Sequence, residues 1–252
     1  MADLEPKLSI ITATFNSAAT ITSCLDSIAE QTYGSIQHIV VDGASSDGTQ
    51  DVVKNHSHQP DVFQSEPDAG VYDGLNKGIQ LANGEVIGFL HSDDMYASSQ
   101  TLQQVADCFD DTSIHAVYGD LEYVAQDDTD RVIRRWIAGN YSARQLTLGW
   151  MPPHPTLFVR REWYERVGNF DIGYKIAADY HFILRLFNQP EFVARYLPQV
   201  LVKMRVGGVS NRSLPLIARK SREDLDALRK TGAGGVFTLL SKNIRKINQF
   251  FH

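Results

Sequence analysis

The sequence predicts an α/β fold: a Rossmann-like, mostly parallel sheet flanked by helices, followed by a less regular C-terminal half. Three observations carry this. Short β-rich runs alternate with helical patterns through about the first 120 residues. The β-rich runs are almost continuously apolar, as strands covered on both faces must be. Polar clusters fall at their carboxyl ends, at Thr12 to Asn16, Asp42 to Asp47, Glu66 to Gly70 and His91 to Asp94. In open α/β sheets that edge is where ligands bind.

The elements follow in order. Leu8 to Thr12 is the first strand and Ser17 to Gln31 the first helix, with Ile21, Leu25 and Ile28 at helical spacing. Ile36 to Val41 is the second strand, ending at Asp42-Gly43, and a short helix starts near Thr49 with Asp47 or Ser46 as its cap. Asp61 to Ser65 is a weaker strand and Val71 to Ala82 a helix. Glu85 to Leu90 is a buried strand running straight into His91-Ser92-Asp93-Asp94. A helix near Ser99 to Phe109 and a strand near His115 to Tyr118 complete the series. Glu122 to Gly139 then reads as a hairpin around the acidic turn Gln126 to Asp130. Trp150 to Pro155 carries three prolines and is not helical. Thr156 to Val159 is a strand, Glu162 to Val167 a short helix and Ala177 to Asn188 a strong one. With no linker or repeat, residues 1–212 read as one domain with halves of about 1–120 and 121–212, and 213–252 as a C-terminal helical extension.

Composition bounds the function. Of 252 residues 43% are hydrophobic and 21% charged, with Gly 18, Pro 9 and Cys 2, which excludes collagen-like, disordered and disulfide-stapled classes. A net charge of −6 gives no support for a nucleic-acid partner. It still permits an anionic ligand where a divalent metal offsets carboxylates. Cys24 and Cys108 lie in helical stretches and read as buried free thiols. No basic region followed by an apolar run opens the chain, and no stretch approaches the ~18 apolar residues of a spanning helix, so a cytoplasmic protein is expected.

Asp93-Asp94 directly after a buried strand is the sharpest chemical feature. Adjacent carboxylates repel unless a cation sits between them, and hard oxygen ligands suit Mg²⁺ or Mn²⁺. Magnesium takes only one or two protein carboxylates and completes its shell with substrate phosphates, so the pair suggests a metal–diphosphate ligand. The competing reading is a cap for the helix that follows.

The segments TATFN (12–16), VDGASSDGT (41–49), SEPDAGVYDGLNKG (65–78), FLHSDD (89–94), GNFD (168–171) and AADYHFILRL (177–186) together resemble glycosyltransferase family 2, over roughly residues 7 to 210. The resemblance implies the GT-A fold and inverting transfer of a sugar from a nucleotide-diphosphate donor, as in bacterial enzymes that build polysaccharide and other glycans. It places Thr12, Ala13, Phe15 and Asn16 on the nucleoside, Asp42 on the base, and Asp68, Asn76, Lys77 and Ser92 among further donor contacts. Asp93 matches the last carboxylate of the DxD-type metal motif, with Asp94 beside it. His91 stands in place of the first Asp, so the implied ligands of Mn²⁺ or Mg²⁺ are Asp93, Asp94 and His91. Asp179 matches the family's catalytic base, a carboxylate that takes the acceptor hydroxyl proton as it attacks. Its apolar neighbours Ile176, Ala177 and Ala178 partly withdraw it from water. Trp150, His154 and His181 fall on the acceptor side; packing is the alternative for the Trp beside its prolines, and His181 either contacts acceptor or diphosphate or simply sits on the helix surface. Arg205 and Arg212 flank Gly207 to Ser210, as a loop closing on the diphosphate or as a plain turn.

Val236 to Phe251 places Phe237, Leu240, Ile244, Ile247 and Phe251 at helical spacing, with Lys242, Arg245 and Lys246 mostly off that stripe. Such a helix suits peripheral contact with an anionic membrane surface, its inner face if the acceptor is lipid-linked, or docking on protein. The expectation is thus a glycosyltransferase acting on a glycan, lipid-linked or other hydroxyl acceptor. The rivals are a non-catalytic sugar-binding module and a sugar nucleotidyltransferase of related fold.

Overall fold

The computed structural model describes residues 7–207 and 214–248. Within them nine strands form one mixed sheet in the order β3-β2-β1-β4-β8-β6-β9-β5, with β7 paired to β6. The strands are β1 (Leu8–Thr14), β2 (Ile36–Asp42), β3 (Val62–Ser65), β4 (Val86–Phe89), β5 (Asp94–Tyr96), β6 (Ala116–Val124), β7 (Val132–Trp136), β8 (Phe158–Arg160) and β9 (Ala194–Arg205). The helices are α1 (Ile21–Ala29), α2 (Thr49–Asn55), α3 (Val71–Leu81), α4 (Thr101–Cys108), α5 (Ala143–Thr147), α6 (Glu162–Val167), α7 (Ala178–Phe187), α8 (Leu214–Thr231) and α9 (Val236–Asn248). The longest ladders, β1 with β2 and β6 with β9, are parallel, and the antiparallel pairings are short. The order turns at β1, which is flanked by β2 on one side and β4 on the other.

The alternation of β1 explains the layers. Leu8 and Ile10 enter one core with Cys24 of α1 and Leu102 and Val105 of α4, while Ile11 and Ala13 enter the opposite core with Leu75 and Ile79 of α3. Each side of the sheet is therefore apolar, and both cysteines are buried free thiols. The glycines of YDGLNKG let α3 lie close on β1: a Cβ on Gly78 would come within 2.3 Å of Ile11 Cγ2.

The structure corrects three local expectations. The first helix begins at Ile21, because residues 17–20 form a turn that bonds the neighbouring loop. The cap of α2 is Gly48, with φ 96°, while Asp47 bonds the Thr49 backbone N–H from one position before it. Asp94 begins no helix: it opens β5, which pairs antiparallel with β9. Beyond the family-like core, α8 packs on α7, and α9 on α8.

Candidate active site

A cavity of about 870 Å³ opens at the carboxyl ends of β1 and β4, where the strand order turns. This is the crevice that the topology itself creates. Its floor is Ala13, Thr14 and Phe15 from the end of β1, with His91, Ser92 and Asp93 from the end of β4. Thr14 Oγ1 is buried without a hydrogen-bond partner among the described residues. Phe15 stands 62% exposed at the mouth, an aromatic face open to a ligand.

Three sequence-distant loops are tied into one rim. Asn16 adopts φ 50°, a left-handed conformation that asparagine tolerates, and its Oδ1 accepts from the Ser46 backbone N–H at 3.0 Å. Its own N–H donates to Ser45 Oγ at 2.8 Å. Asp47 accepts from the Ala18 N–H at 3.0 Å, and Ser92 Oγ donates to Ser17 Oγ at 2.9 Å. The loops after β1, β2 and β4 therefore hold one another in place. Asp68 reaches the same cavity over Gly43, where a Cβ would come within 2.7 Å of its Oδ2.

Asp93 is half-buried, and its carboxylate has no protein partner among the described residues. Its carbonyl accepts from Arg205 Nη1 at 2.8 Å, while Arg205 Nη2 donates to Ser23 Oγ at 3.0 Å, so the guanidinium forms a fixed wall. His91 lies beside it: withdrawal from solvent lowers the imidazole's pKa, and the charges of Asp93 and Asp179 act in the opposite direction. Asp93, His91 and Asp179 thus share one electrostatic neighbourhood.

The facing wall is Tyr72 of α3 with Lys175 and Ile176, the approach to α7. Tyr72 donates to the Ile176 carbonyl at 2.7 Å and to Asp179 Oδ1 at 3.1 Å. Asp179 lies half-buried in the first turn of α7, directly behind the residues that line the wall.

Other expected site residues are not brought to the cavity. Asp94 is 1% exposed, opens β5 and is not among the residues that line the cavity. Burial first, then the charge of Asp93, raises its carboxyl pKa well above the ordinary value. Asp42 is fully buried and accepts from Ser45 and Ser65. Asn76 spends both ends of its amide on the backbone of Phe170, at 2.9 and 3.0 Å. Lys77 pairs with Glu66 at 2.7 Å and bonds the Pro67 carbonyl, bracing the loop that carries Asp68. Trp150 is core, its Nε1 donating to the Ala138 carbonyl at 2.7 Å among Tyr118, Tyr141 and Phe187. His154 is buried behind His91, with ring centroids 6.1 Å apart, and His181 packs against Tyr174. Thr12 is buried, bonding His38 Nε2 at 3.2 Å. Arg212, Gly208 to Ser210 and Phe251 lie outside the described residues, as does the Ile247 side chain.

Residues 9–168 match glycosyl transferase family 2. The chain belongs to that family. It is 34% identical over 211 residues to the PGL/p-HBAD biosynthesis glycosyltransferase of Mycobacterium bovis, covering 82% of this chain and 80% of that protein. An uncharacterized glycosyltransferase of Mycobacterium tuberculosis is 31% identical over 191 residues, covering 71% of this chain and 68% of that protein. Among solved structures, Staphylococcus aureus TarS superposes with a TM-score of 0.64 at 20% identity. The superposition covers 89% of this chain but 39% of TarS. The mannosyltransferase PcManGT from Pyrobaculum calidifontis, in complex with GDP-Man and Mn²⁺, gives 0.64 at 22% identity, over 90% of this chain and 64% of that one. These likenesses show the GT-A-like fold, and this family 2 protein is a glycosyltransferase.

The cavity of this glycosyltransferase and its surroundings include residues that sequence reasoning did not single out. Tyr72 lay inside a quoted segment without a role, and Lys175 and Gln126 reach the cavity from loops that carry no motif. Glu223, on a helix beyond the family match, accepts from the backbone N–H groups of Lys175, Ile176 and Ala177. The available signals were the phenol five residues before Lys77 on a helix face, and the acid-rich run Glu223-Asp224-Leu225-Asp226.

Proposed function

We propose that the chain is an inverting, metal-assisted glycosyltransferase that binds a nucleotide-diphosphate sugar in this cavity and uses Asp179 as its base. The observation that carries the reading is the pairing of two walls. On one side stand His91, Arg205 and Asp93, whose carboxylate has no protein partner among the described residues; on the other stand Tyr72, Lys175 and Ile176, with Asp179 directly behind them and bonded by Tyr72. A donor with its diphosphate against the first wall would present its anomeric carbon toward the second.

The residues fit a divalent cation of one kind. Among the described residues no three His, Cys, Asp or Glu side chains converge as a closed cage. Asp93 and His91 offer a partial ligand set, which suits an ion that completes its shell with substrate phosphates. When bound, the cation supplies charge neutralisation at the departing nucleoside diphosphate. Arg205 and Lys175 add fixed positive charge around the cavity. Asp179 takes the proton of the acceptor hydroxyl as its oxygen attacks the anomeric carbon from the face opposite the leaving group. Tyr72 holds the carboxylate in register for that transfer. Phe15 is placed to stack on the nucleobase.

The donor class is supported by solved structures similar in fold, which hold UDP, UDP-GlcNAc and GDP-Man. The acceptor in this reading is a glycan, lipid-linked or other hydroxyl compound, and one relative is named for PGL/p-HBAD biosynthesis. The membrane reading is favoured by α9, which docks on its own domain through Thr238 and Lys242 while Phe237, 90% exposed, stands with Leu240 and Ile244 on the opposite face. That helix carries no acid in its sequence, and no described helix is long and apolar enough to cross a membrane. Calorimetry with UDP-GlcNAc, UDP-glucose and GDP-mannose, with and without Mn²⁺, tests the donor reading. Metal-dependent binding of one donor is expected, and no binding of any would overturn it. Sedimentation with phosphatidylglycerol vesicles tests the surface: Phe237→Ser with Leu240→Ser should release the protein, and unchanged sedimentation refutes the contact.

A further inference from the structure

We propose that Glu223 on α8 is a positioning residue for Asp179. The inference rests on the reading of Asp179 as the base, and it assigns a role in the reaction to a helix outside the family match at residues 9–168.

The need arises locally. Helix α7 begins at Ala178 with Ala177 as its N-cap, and the N–H groups of Lys175, Ile176 and Ala177 that lead into it have no acceptor within the helix. Their acceptor comes from another helix. Glu223 accepts from the N–H of Ile176 at 2.8 Å, of Ala177 at 3.1 Å and of Lys175 at 3.1 Å. Arg219, one turn earlier, donates to Glu223 Oε1 at 3.0 Å and holds it toward α7. Burial pushes the Glu223 carboxyl up, but the backbone N–H groups and Arg219 outweigh it and leave the group below its ordinary range.

What the clamp fixes is the wall of the site. Lys175 and Ile176 line the cavity, and the Ile176 carbonyl is the second acceptor of the Tyr72 hydroxyl that holds Asp179. The same turn of α8 grips the segment on both flanks. Asp226 accepts from Tyr174 Oη at 2.6 Å. Asp224 pairs at 2.9 Å with the buried Lys242, whose Nζ lies 3.1 Å from the centre of the Tyr180 ring. Three acids within four residues therefore engage Tyr174, residues 175–177 and, through Lys242, Tyr180. That stretch brackets Asp179. Small displacements of a reacting group cost large factors in rate, so loss of the clamp should act on turnover more than on binding.

The test compares Glu223→Ala, Glu223→Gln, Asp179→Asn and, as a control on the exposed face of α8, Arg222→Ala. Turnover is read as nucleoside diphosphate release from whichever of UDP-GlcNAc, UDP-glucose and GDP-mannose the wild type consumes fastest. Glu223→Ala should lower kcat by at least about tenfold with KM changed less than about twofold. Glu223→Gln, which keeps one acceptor oxygen, should fall between it and the wild type, and Arg222→Ala should match the wild type. Hydrogen exchange of the full chain should be faster by at least about tenfold over residues 174–180 in Glu223→Ala and unchanged in β1 to β4. A kcat within about twofold of wild type in Glu223→Ala, with Asp179→Asn inactive, overturns the positioning role and leaves the base intact. Undiminished turnover in Asp179→Asn overturns the base and this inference with it. Unchanged exchange at 174–180, or exchange raised throughout the sheet, assigns Glu223 to general stability and contradicts the proposal.

Discussion

The Tyr72 hydroxyl bridges the Asp179 carboxylate, at 3.1 Å, and the Ile176 carbonyl, at 2.7 Å, joining α3 to the start of α7 across 107 residues of sequence. Tyr72→Phe keeps the ring against Phe170, 5.7 Å away, and removes only the bridge. Turnover should fall about tenfold with donor affinity preserved, and stability should fall by about 1 kcal/mol. Steady-state kinetics and urea unfolding read the two effects separately.

Asp93 and Asp94 are neighbours in sequence with opposite surroundings, and their substitutions should differ in kind. Asp93→Asn should abolish the Mn²⁺-dependent part of nucleotide-sugar binding in calorimetry while leaving the fold intact. Asp94→Asn places a neutral amide in a buried site on β5, and donor binding should persist. Chelation with EDTA should reproduce the Asp93→Asn phenotype in the wild type, with recovery on adding Mn²⁺.

The buried Lys242–Asp224 pair locks the rotation of α9 and so decides which of its faces meets solvent. Lys242→Ala leaves Asp224 buried without its counter-charge and should cost about 3–5 kcal/mol in urea unfolding. The double variant Lys242→Met with Asp224→Leu should recover most of that loss, because neither charge then remains in the interior.

His38 is buried between Thr12 and His58, and burial first, then the neighbouring His58, takes its pKa down to about 3. The folded pKa is depressed below the ordinary value, so the unfolded chain takes up a proton that the folded one refuses. Stability from this group is complete at neutral pH and is lost as pH falls from about 6.5 towards 3, by up to about 1.4 kcal/mol per unit. His154, held down to about 4 chiefly by burial, adds to the same acid loss. Urea titrations between pH 4 and 7 should show a flatter dependence in His38→Gln than in the wild type.

Much of the parallel half was legible because its strands are buried on both sides and its turns carry glycine and aspartate. β5 was not: three residues, Asp94 to Tyr96, show no period, and the aspartates resembled a helix cap. β9 passed unread because Pro198 and alternating polar residues interrupt it, and its pairing with β6 is formed at long range. For the site, sequence identified the strand ends but not which way each side chain faces. Asp93 ends a turn and Asp94 opens β5, and Asn76 and Lys77 sit on a motif helix yet bond Phe170 and Glu66. Glu223 stood out only as part of an acid-rich run, because its partners are backbone N–H groups, which leave no mark in a sequence.

Asp179→Asn tests the central claim most directly, measured as donor binding by calorimetry alongside nucleoside diphosphate release on one protein preparation. Donor affinity within about twofold of wild type, with turnover reduced at least about a hundredfold, is the expected result. Turnover retained at the wild-type rate would contradict Asp179 as the base and, with it, the mechanism built on this cavity.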